Sequence, residues 1–192
     1  MLAQLRPALA VLGFFTFLTG FVYPLALTGM AQLLMPTAAK GSLIVQNGKV
    51  VGSELIGQGF TQERYFHGRP SAAGKEGYEA SASSGSNLGA TSKALIDRVA
   101  ADVAKLREAE TGLVPGDAVT ASASGLDPHI SPAFAEVQIA RVARARGTDP
   151  KQVSEIVERL TEHPFMGFLG QARISVLKLN LALDAELGSV TR

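Results

Sequence analysis

The sequence predicts an α+β soluble domain behind one N-terminal transmembrane helix. Three observations support this fold class. Residues 7–39 carry no charged side chain, an Asn-Gly pair separates two apolar β-branched runs, and helical apolar patterns precede a late run with strand-like alternation. We therefore expect the domain to contain one hairpin, about three helices and one late strand.

The uncharged N-terminal stretch has the length of a membrane-spanning helix. Residues 9–35 form an apolar run, and about 20 such residues cross a bilayer. A cleaved signal peptide is the competing interpretation, but its apolar core has only about 7–15 residues. We expect an uncleaved anchor after a short tail at residues 1–8. The small residues Gly13, Thr16 and Gly20 recur at helical spacing, which would let a partner helix approach closely.

Residues 40–192 are predicted to form a single soluble domain without net charge. Of the 18 Lys and Arg residues only Arg6 precedes residue 40, and the remaining 17 balance 17 Asp and Glu residues. This balance argues against nucleic acid as a partner and against a polybasic lipid-binding surface. The chain has no cysteine, which excludes disulfides, thiol catalysis and thiolate metal sites.

The domain is predicted to begin with a hairpin and a long loop. Asn47-Gly48 separates the runs at residues 42–45 and 50–56, and Asn-Gly in this position is a strong signal for a hairpin turn. Residues 57–90 are rich in Gly, Ser and Ala and poor in aliphatic side chains. We expect an irregular segment there, and long loops in compact domains are often functional.

Three helices and a mixed segment are predicted next. The helices are delimited by capping residues and by Gly or Pro: Thr91 or Ser92 to Gly112, Ser131 to Gly147, and Asp149 to Pro164. The final run at residues 173–184 begins with the alternation of a strand, and we expect it to become helical after Asn180.

Residues 122–132 have the composition of a catalytic loop. Ser122-Ala-Ser-Gly-Leu-Asp-Pro-His-Ile-Ser-Pro132 holds one acid, one histidine and three serines. Helix capping by Ser131 and turn formation at Asp127-Pro128 account for most of this composition. Asp127 and His129 remain as candidates for chemistry or for docking to a partner.

Two further segments carry candidate residues. His67 and Arg69 combine a titratable ring with a guanidinium fork suited to oxyanions or carboxylates. A Ser- and Gly-rich run precedes a predicted helix N-terminus, where backbone N–H groups can hold an anion. Its residues are Ser84, Gly85, Ser86, Asn87 and Gly89.

Several catalytic motifs are absent from the sequence. Neither Gly48-Lys49 nor Gly74-Lys75 is followed by the Ser or Thr of a P-loop. No Asp is followed by Lys, as an Asp-Lys-Thr-Gly phosphate acceptor requires, and the three histidines never pair at the spacing of a zinc-binding helix. We therefore predict no metal site.

Seven stretches, taken in order, resemble the C subunit of the Kdp potassium-transporting ATPase, and the likeness covers nearly the whole chain. They are Gly52-Ser53 with Leu55-Ile-Gly-Gln58, Tyr65-Phe-His-Gly-Arg-Pro-Ser71, Ser84-Gly-Ser-Asn-Leu-Gly89, Val119-Thr-Ala-Ser122, Ser124-Gly-Leu-Asp-Pro-His-Ile-Ser-Pro132, Arg141-Val-Ala-Arg-Ala-Arg-Gly147 and Val176-Leu-Lys-Leu-Asn-Leu-Ala-Leu-Asp184.

The resemblance implies an accessory subunit of an ATP-driven potassium importer in the bacterial inner membrane. Its partners would be a channel-like A subunit, a P-type ATPase B subunit and a small F subunit. It would have one transmembrane helix and an extracytoplasmic domain, bind no cofactor firmly, and do no chemistry alone. The family is also described as a catalytic chaperone that raises the ATP affinity of the B subunit, with residues 84–89 compared to nucleotide-contacting loops.

We expect the domain to dock on the outer face of the pore subunit. His67, Arg69, Asp127 and His129 are the docking candidates, and Asp127, Glu79 or Glu136 could gather potassium ions at the pore mouth. Two other functions remain open. One is a membrane-tethered hydrolase that uses Asp127, His129 and a serine, and the other is an extracytoplasmic module that binds a small ligand.

Overall fold

The structure of the chain is a computed structural model, which describes residues 2–109 and 113–188. The chain divides into two compact units, Met1–Val51 and Gly52–Arg192. The soluble domain is predicted from the sequence to begin at residue 40, whereas the packing divides the chain at residue 52.

The first unit contains one long apolar helix. It consists of α1 (Leu2–Phe17), a π-type turn (Leu18–Val22) and α2 (Tyr23–Leu34). Its 32 residues Ala3–Leu34, with a mean hydropathy of 1.8, are long and apolar enough to span a bilayer, and no other helix in the described residues is. Residues 2–8, expected as a tail, are also helical.

The wider turn lies directly before Pro24. Proline has no N–H to donate, and its ring clashes with the carbonyl of the residue four positions earlier, which is Gly20. A π-type turn widens the helix and makes room for such a ring. Immediately before Gly20, the Thr19 hydroxyl donates to the Phe15 carbonyl at 2.7 Å, which satisfies this polar group inside an apolar helix.

A short helical turn and a hairpin follow the anchor. They are α3 (Pro36–Ala39), β1 (Leu43–Gln46) and β2 (Lys49–Ser53). The connecting residues Asn47 and Gly48 have positive φ of 51° and 75°, as a type I′ turn requires. The predicted hairpin is confirmed, and its two strands form a sheet of their own.

Four helices and a second small sheet form the described part of the other unit. Their bounds are α4 (Lys93–Ala109), β3 (His129–Ile130), α5 (Pro132–Arg146), α6 (Pro150–Arg159), β4 (Ile174–Ser175) and α7 (Val176–Leu187). The long loop at residues 57–90 is confirmed, with a single 3₁₀ turn at Ala80–Ala82. Gly112, the predicted end of α4, lies outside the described residues.

The predicted caps set the start of α5 and α6. The Ser131 hydroxyl accepts a hydrogen bond from Phe134 N at 3.0 Å, and the Asp149 carboxylate accepts one from Lys151 N at 2.9 Å. Helix α6 ends at Arg159, before the predicted end at Pro164. The chain leaves the helix there because Glu162 pairs its backbone with Arg173.

The core lies between α5, α6 and α7. Each helix contributes a stripe of buried aliphatic side chains, and Phe66 from the long loop is fully buried among them. Buried aliphatic core residues on these helices include Ile139, Val142, Val153, Ile156, Val157, Leu179 and Leu183.

The late strand is confirmed, but it is shorter than the pattern suggests. β4 pairs with β3 in an antiparallel ladder of two residue pairs, His129 with Ser175 and Ile130 with Ile174. Helix α7 begins at Val176, so the expectation of a helix only after Asn180 is wrong. Burial of Val176, Leu179 and Leu183 on one helical face favours the helix over a longer strand.

Buried polar side chains hold the segment at residues 63–69, here called the strap. Gln138 and Asn180 are both almost fully buried. Each side-chain amide pairs with the backbone N–H and the carbonyl of one strap residue, as the backbone of a neighbouring strand would. Asn180 accepts from Phe66 N at 2.8 Å and donates to Phe66 O at 3.0 Å. Gln138 accepts from His67 N at 2.8 Å and donates to His67 O at 3.2 Å.

Candidate functional site: a charged cleft beside the β3–β4 ladder

Asp127 lies at the centre of a cluster that the sequence only partly suggests. Its Oδ2 accepts from Arg69 Nη1 at 2.8 Å, and its Oδ1 accepts from His129 N at 3.0 Å. The ring Nδ1 of His129 lies 3.5 Å from Oδ1. Arg69 also donates from Nε to Thr120 O at 3.3 Å. The structure thus brings three of the four docking candidates together.

The partners of Asp127 stabilise its charged form. Hydrogen bonds from the His129 ring and backbone, together with the Arg69 guanidinium, lower the pKa of Asp127 from 3.8 to about 2, against the opposing effect of burial. Beside the cluster, burial raises the pKa of Tyr78 to about 12, and its hydroxyl donates to Arg69 O at 2.7 Å. Asp127 is therefore a carboxylate at neutral pH, and Tyr78 is a neutral phenol.

The cluster forms one wall of a cavity of about 480 Å³, here called the charged cleft. Its polar lining residues are Arg69, Asp117, Asp127, His129, Ser131, Gln171 and Arg173. Asp117 was missed by the sequence analysis. It accepts from Ser131 N at 2.7 Å and from Ser131 Oγ at 2.9 Å, a contact between residues 14 positions apart that no local pattern signals.

The serines of the 122–132 loop have structural partners. Ser131 donates to Asp117 and caps α5. Ser124 Oγ accepts from Leu126 N at 3.1 Å, and Ser122 Oγ lies 3.4 Å from Ser124 Oγ. Within the described residues, no hydrogen bond joins a serine hydroxyl to the His129 ring, as a nucleophile–base pair requires.

The fourth candidate, His67, faces a different cavity. It lines a space of about 330 Å³ between the strap and α4, together with Asp102, Lys105 and Arg141. Burial and the nearby Arg141 guanidinium lower the pKa of His67, so the neutral ring is favoured. Arg69 lines both cavities.

The Ser- and Gly-rich run at residues 84–89 packs against the 122–125 loop. Ser84 N and Ser83 Oγ both donate to Ser124 O at 3.0 Å. A Cβ on Gly125 would lie 2.5 Å from Ser84 O, so the two segments approach too closely for a side chain there. This contact accounts for part of the small-residue composition, whereas a Cβ on Gly89 would meet open space.

The remaining candidates stay dispersed. Glu79 accepts from Ser81 Oγ, and Glu136 is exposed on α5. In the described residues, no group of three or more His, Asp or Glu side chains could hold a metal ion.

The helix-packing candidates lie in the anchor. A Cβ added at Gly13 or Gly20 would meet open space, so this face of the helix is available for packing against another helix.

Fold and site together define the class of protein: one candidate membrane-spanning helix, an α+β domain and a charged cleft whose acidic centre is ion-paired. A family model described as "KdpC: K+-transporting ATPase, c chain" matches residues 5–185. The match spans both the anchor and the domain.

Curated relatives agree with the family model. The potassium-transporting ATPase KdpC subunit of Polaromonas naphthalenivorans is 59% identical over 184 residues, which cover 94% of each chain. The subunit of the same name from Caulobacter vibrioides is 56% identical and covers 96% of this chain and 94% of its own length. That of Methylococcus capsulatus is 54% identical and covers 96% and 99%. The chain belongs to the family of C subunits of potassium-transporting ATPases.

Proposed function

We propose that the chain is the non-catalytic accessory subunit of an ATP-driven potassium importer. In this proposal it anchors in the bacterial inner membrane by one helix, keeps its domain on the extracytoplasmic side, and assembles with the A, B and F subunits. The observation that carries the proposal is the family match over residues 5–185. The mutual pairing of Arg69, Asp127 and His129 supports a shaped docking surface rather than a reaction centre.

The accessory role is tested by potassium uptake at low external potassium. Cells that make the other subunits without this chain are expected to lose high-affinity uptake, and the wild-type chain is expected to restore it. Equal uptake with and without the chain would contradict the proposal.

The hydrolase alternative has a separate test. The purified full-length chain is expected to hydrolyse neither a nitrophenyl ester nor a nitrophenyl phosphate. Hydrolysis by the wild-type chain that disappears in His129→Ala would support the alternative, because His129 and Asp127 would then act as a catalytic pair.

The effect on ATP affinity, described for the family, is proposed to act through assembly. Ser84 is occupied by the 122–125 loop, and ATP is a cytoplasmic ligand. Asn87→Ala is therefore expected to leave the ATP concentration for half-maximal hydrolysis by the complex unchanged. A several-fold rise in that concentration without loss of subunits would indicate a direct contact instead.

A further inference from the structure

The segment between α6 and β4 forms an exposed apolar projection. Glu162 and Arg173 pair through their backbones, with Glu162 N to Arg173 O at 2.9 Å and Arg173 N to Glu162 O at 3.0 Å, and so close a hairpin. Its end, residues 164–170, is here called the apolar tip. The apolar tip exposes 71% of Phe165, 71% of Met166, 72% of Phe168 and 53% of Leu169.

The apolar tip presents a sizeable apolar surface to solvent. At about 150–250 Å² per ring, Phe165 and Phe168 alone present roughly 200–350 Å² of apolar surface. Met166 and Leu169 extend the same patch. Contiguous exposed patches of this size on soluble domains commonly mark interaction sites.

The apolar tip is already ordered by its own backbone. Phe165 N donates to Leu169 O and Leu169 N donates to Phe165 O, both at 3.0 Å, and Gly167 N donates to Pro164 O at 3.0 Å. A preformed projection loses little conformational entropy when it binds. Such rigidity suits insertion into a complementary recess.

The apolar tip is continuous with the charged cleft. The second arm of the hairpin contributes Gln171 and Arg173 to the cleft and then leads into β4. An apolar centre beside a polar rim is the usual anatomy of a protein–protein interface. The docking candidates that line the charged cleft, Arg69, Asp127 and His129, therefore adjoin the apolar tip, whereas His67 lies at the other cavity.

Charge favours a protein over a lipid surface as the occupant. Residues 164–172 contain no Lys, Arg, Asp or Glu, and Arg173 at the base is paired with Glu162 at 2.9 Å. Membrane-surface segments usually combine an apolar face with Lys and Arg residues that attract anionic lipid. The hairpin offers no unpaired cation for that purpose among its described residues.

We propose that the apolar tip inserts into an uncharged apolar recess on the extracytoplasmic side of another subunit of the potassium-transporting ATPase. This inference rests on the proposed function, because it needs the chain to be assembled in the complex. Phe165 and Phe168 are the anchoring side chains, and the charged cleft forms the rim.

A single cysteine tests the proposal, because the chain has none of its own. Met166→Cys is labelled with a membrane-impermeant maleimide in spheroplasts that make either the whole complex or this chain alone. Labelling is expected to be several-fold slower in the whole complex. Ala100→Cys, exposed on α4, is the control and is expected to react equally in both.

Two results would overturn the proposal. Equally fast labelling of Met166→Cys in both preparations would show that nothing covers the apolar tip. Slow labelling in both would show that lipid or a second copy covers it. If the wild-type chain fails to co-purify with the other subunits, the proposed function itself fails, which is a distinct result.

A second variant tests the anchoring side chains. Phe165→Ser with Phe168→Ser is expected to reduce recovery of the complex several-fold, whereas Ile96→Ser, which removes a similarly exposed side chain from α4, is expected not to. Equal recovery of both variants would contradict the anchoring role.

Discussion

Asp127 joins three parts of the domain through one carboxylate. Its two oxygens accept from the side chain of Arg69, the last residue of the strap, and from the backbone N–H of His129, the first residue of β3. Tyr78 then fixes Arg69 from the other side. The acid that looks catalytic in the sequence therefore shapes the loop that carries the proposed docking surface.

Replacement of Asp127 by Asn is expected to lower the free energy of unfolding by about 1–2 kcal/mol at pH 7. The folded pKa of about 2 lies below the ordinary value of 3.8, so the charged form stabilises the folded state above about pH 4. This contribution decreases as the pH falls toward 2, and the difference between variant and wild type is expected to vanish there. Denaturant unfolding of the detergent-solubilised chain, followed by circular dichroism at each pH, measures the difference in unfolding free energy between wild type and variant.

Replacement of Asn180 by Leu is expected to cost about 2–4 kcal/mol of unfolding free energy. It leaves the N–H and the carbonyl of Phe66 buried without their partner. Glu136→Gln, at an exposed position of α5, is the control and is expected to stay within about 0.5 kcal/mol of wild type. Equal stability of both variants would contradict the role of Asn180 in holding the strap.

Single residues differ in how far the sequence reveals them. Ser131 is predicted as a cap because capping is local and its signal lies within four residues. Asp117, Gln138 and Asn180 act across long stretches of chain, and a lone polar residue gives no sign of such a partner. The cluster of Arg69, Asp127 and His129 was suspected from residue type, but its pairing required the fold.

At the scale of elements, Gly147 ends α5 in the left-handed region at φ 67°. Gly147→Ala is expected to destabilise the domain by about 1 kcal/mol, because the added Cβ meets open space and the cost is that of the backbone conformation alone. Gly116→Ala, also in open space but without positive φ, is expected to be close to neutral. Thermal melting measures the change in Tm for each variant. Equal changes for Gly147→Ala and Gly116→Ala would argue against the role of Gly147 in ending α5.

Helix α7 shows where periodicity fails as a predictor. The run from Ile174 to Leu183 places apolar residues at alternate positions, as a strand would, and also at the spacing of a helical stripe. Packing of these side chains against α5 and α6 stabilises the helical conformation from Val176 onward. The caps of α5 and α6 were predictable because they depend on neighbouring residues alone.

The anchor has its own prediction. Gly20→Leu is expected to reduce recovery of the assembled complex, because a large side chain on the small-residue face keeps a partner helix at a distance. Gly29→Leu, in open space outside that face, is the control and is expected to leave recovery unchanged. Intact assembly with Gly20→Leu would show that the small-residue face does not mediate packing.

At the scale of the whole molecule, the chain joins one candidate spanning helix to residues 40–192, which carry no net charge. Strong electrostatic steering of potassium is not expected from such a domain. The acids suggested for ion gathering are dispersed, and Asp127 is ion-paired. The features that remain are a shaped cleft and an apolar projection, which suit assembly better than ion capture.

The most direct test of an accessory subunit is affinity purification of the tagged full-length chain from membranes of cells that make all subunits. The eluate is expected to contain the larger membrane subunits and to show potassium-stimulated ATP hydrolysis, whereas the chain purified from cells without those subunits is expected to show none. Elution of the chain alone, without larger subunits and without ATP hydrolysis, would contradict the account.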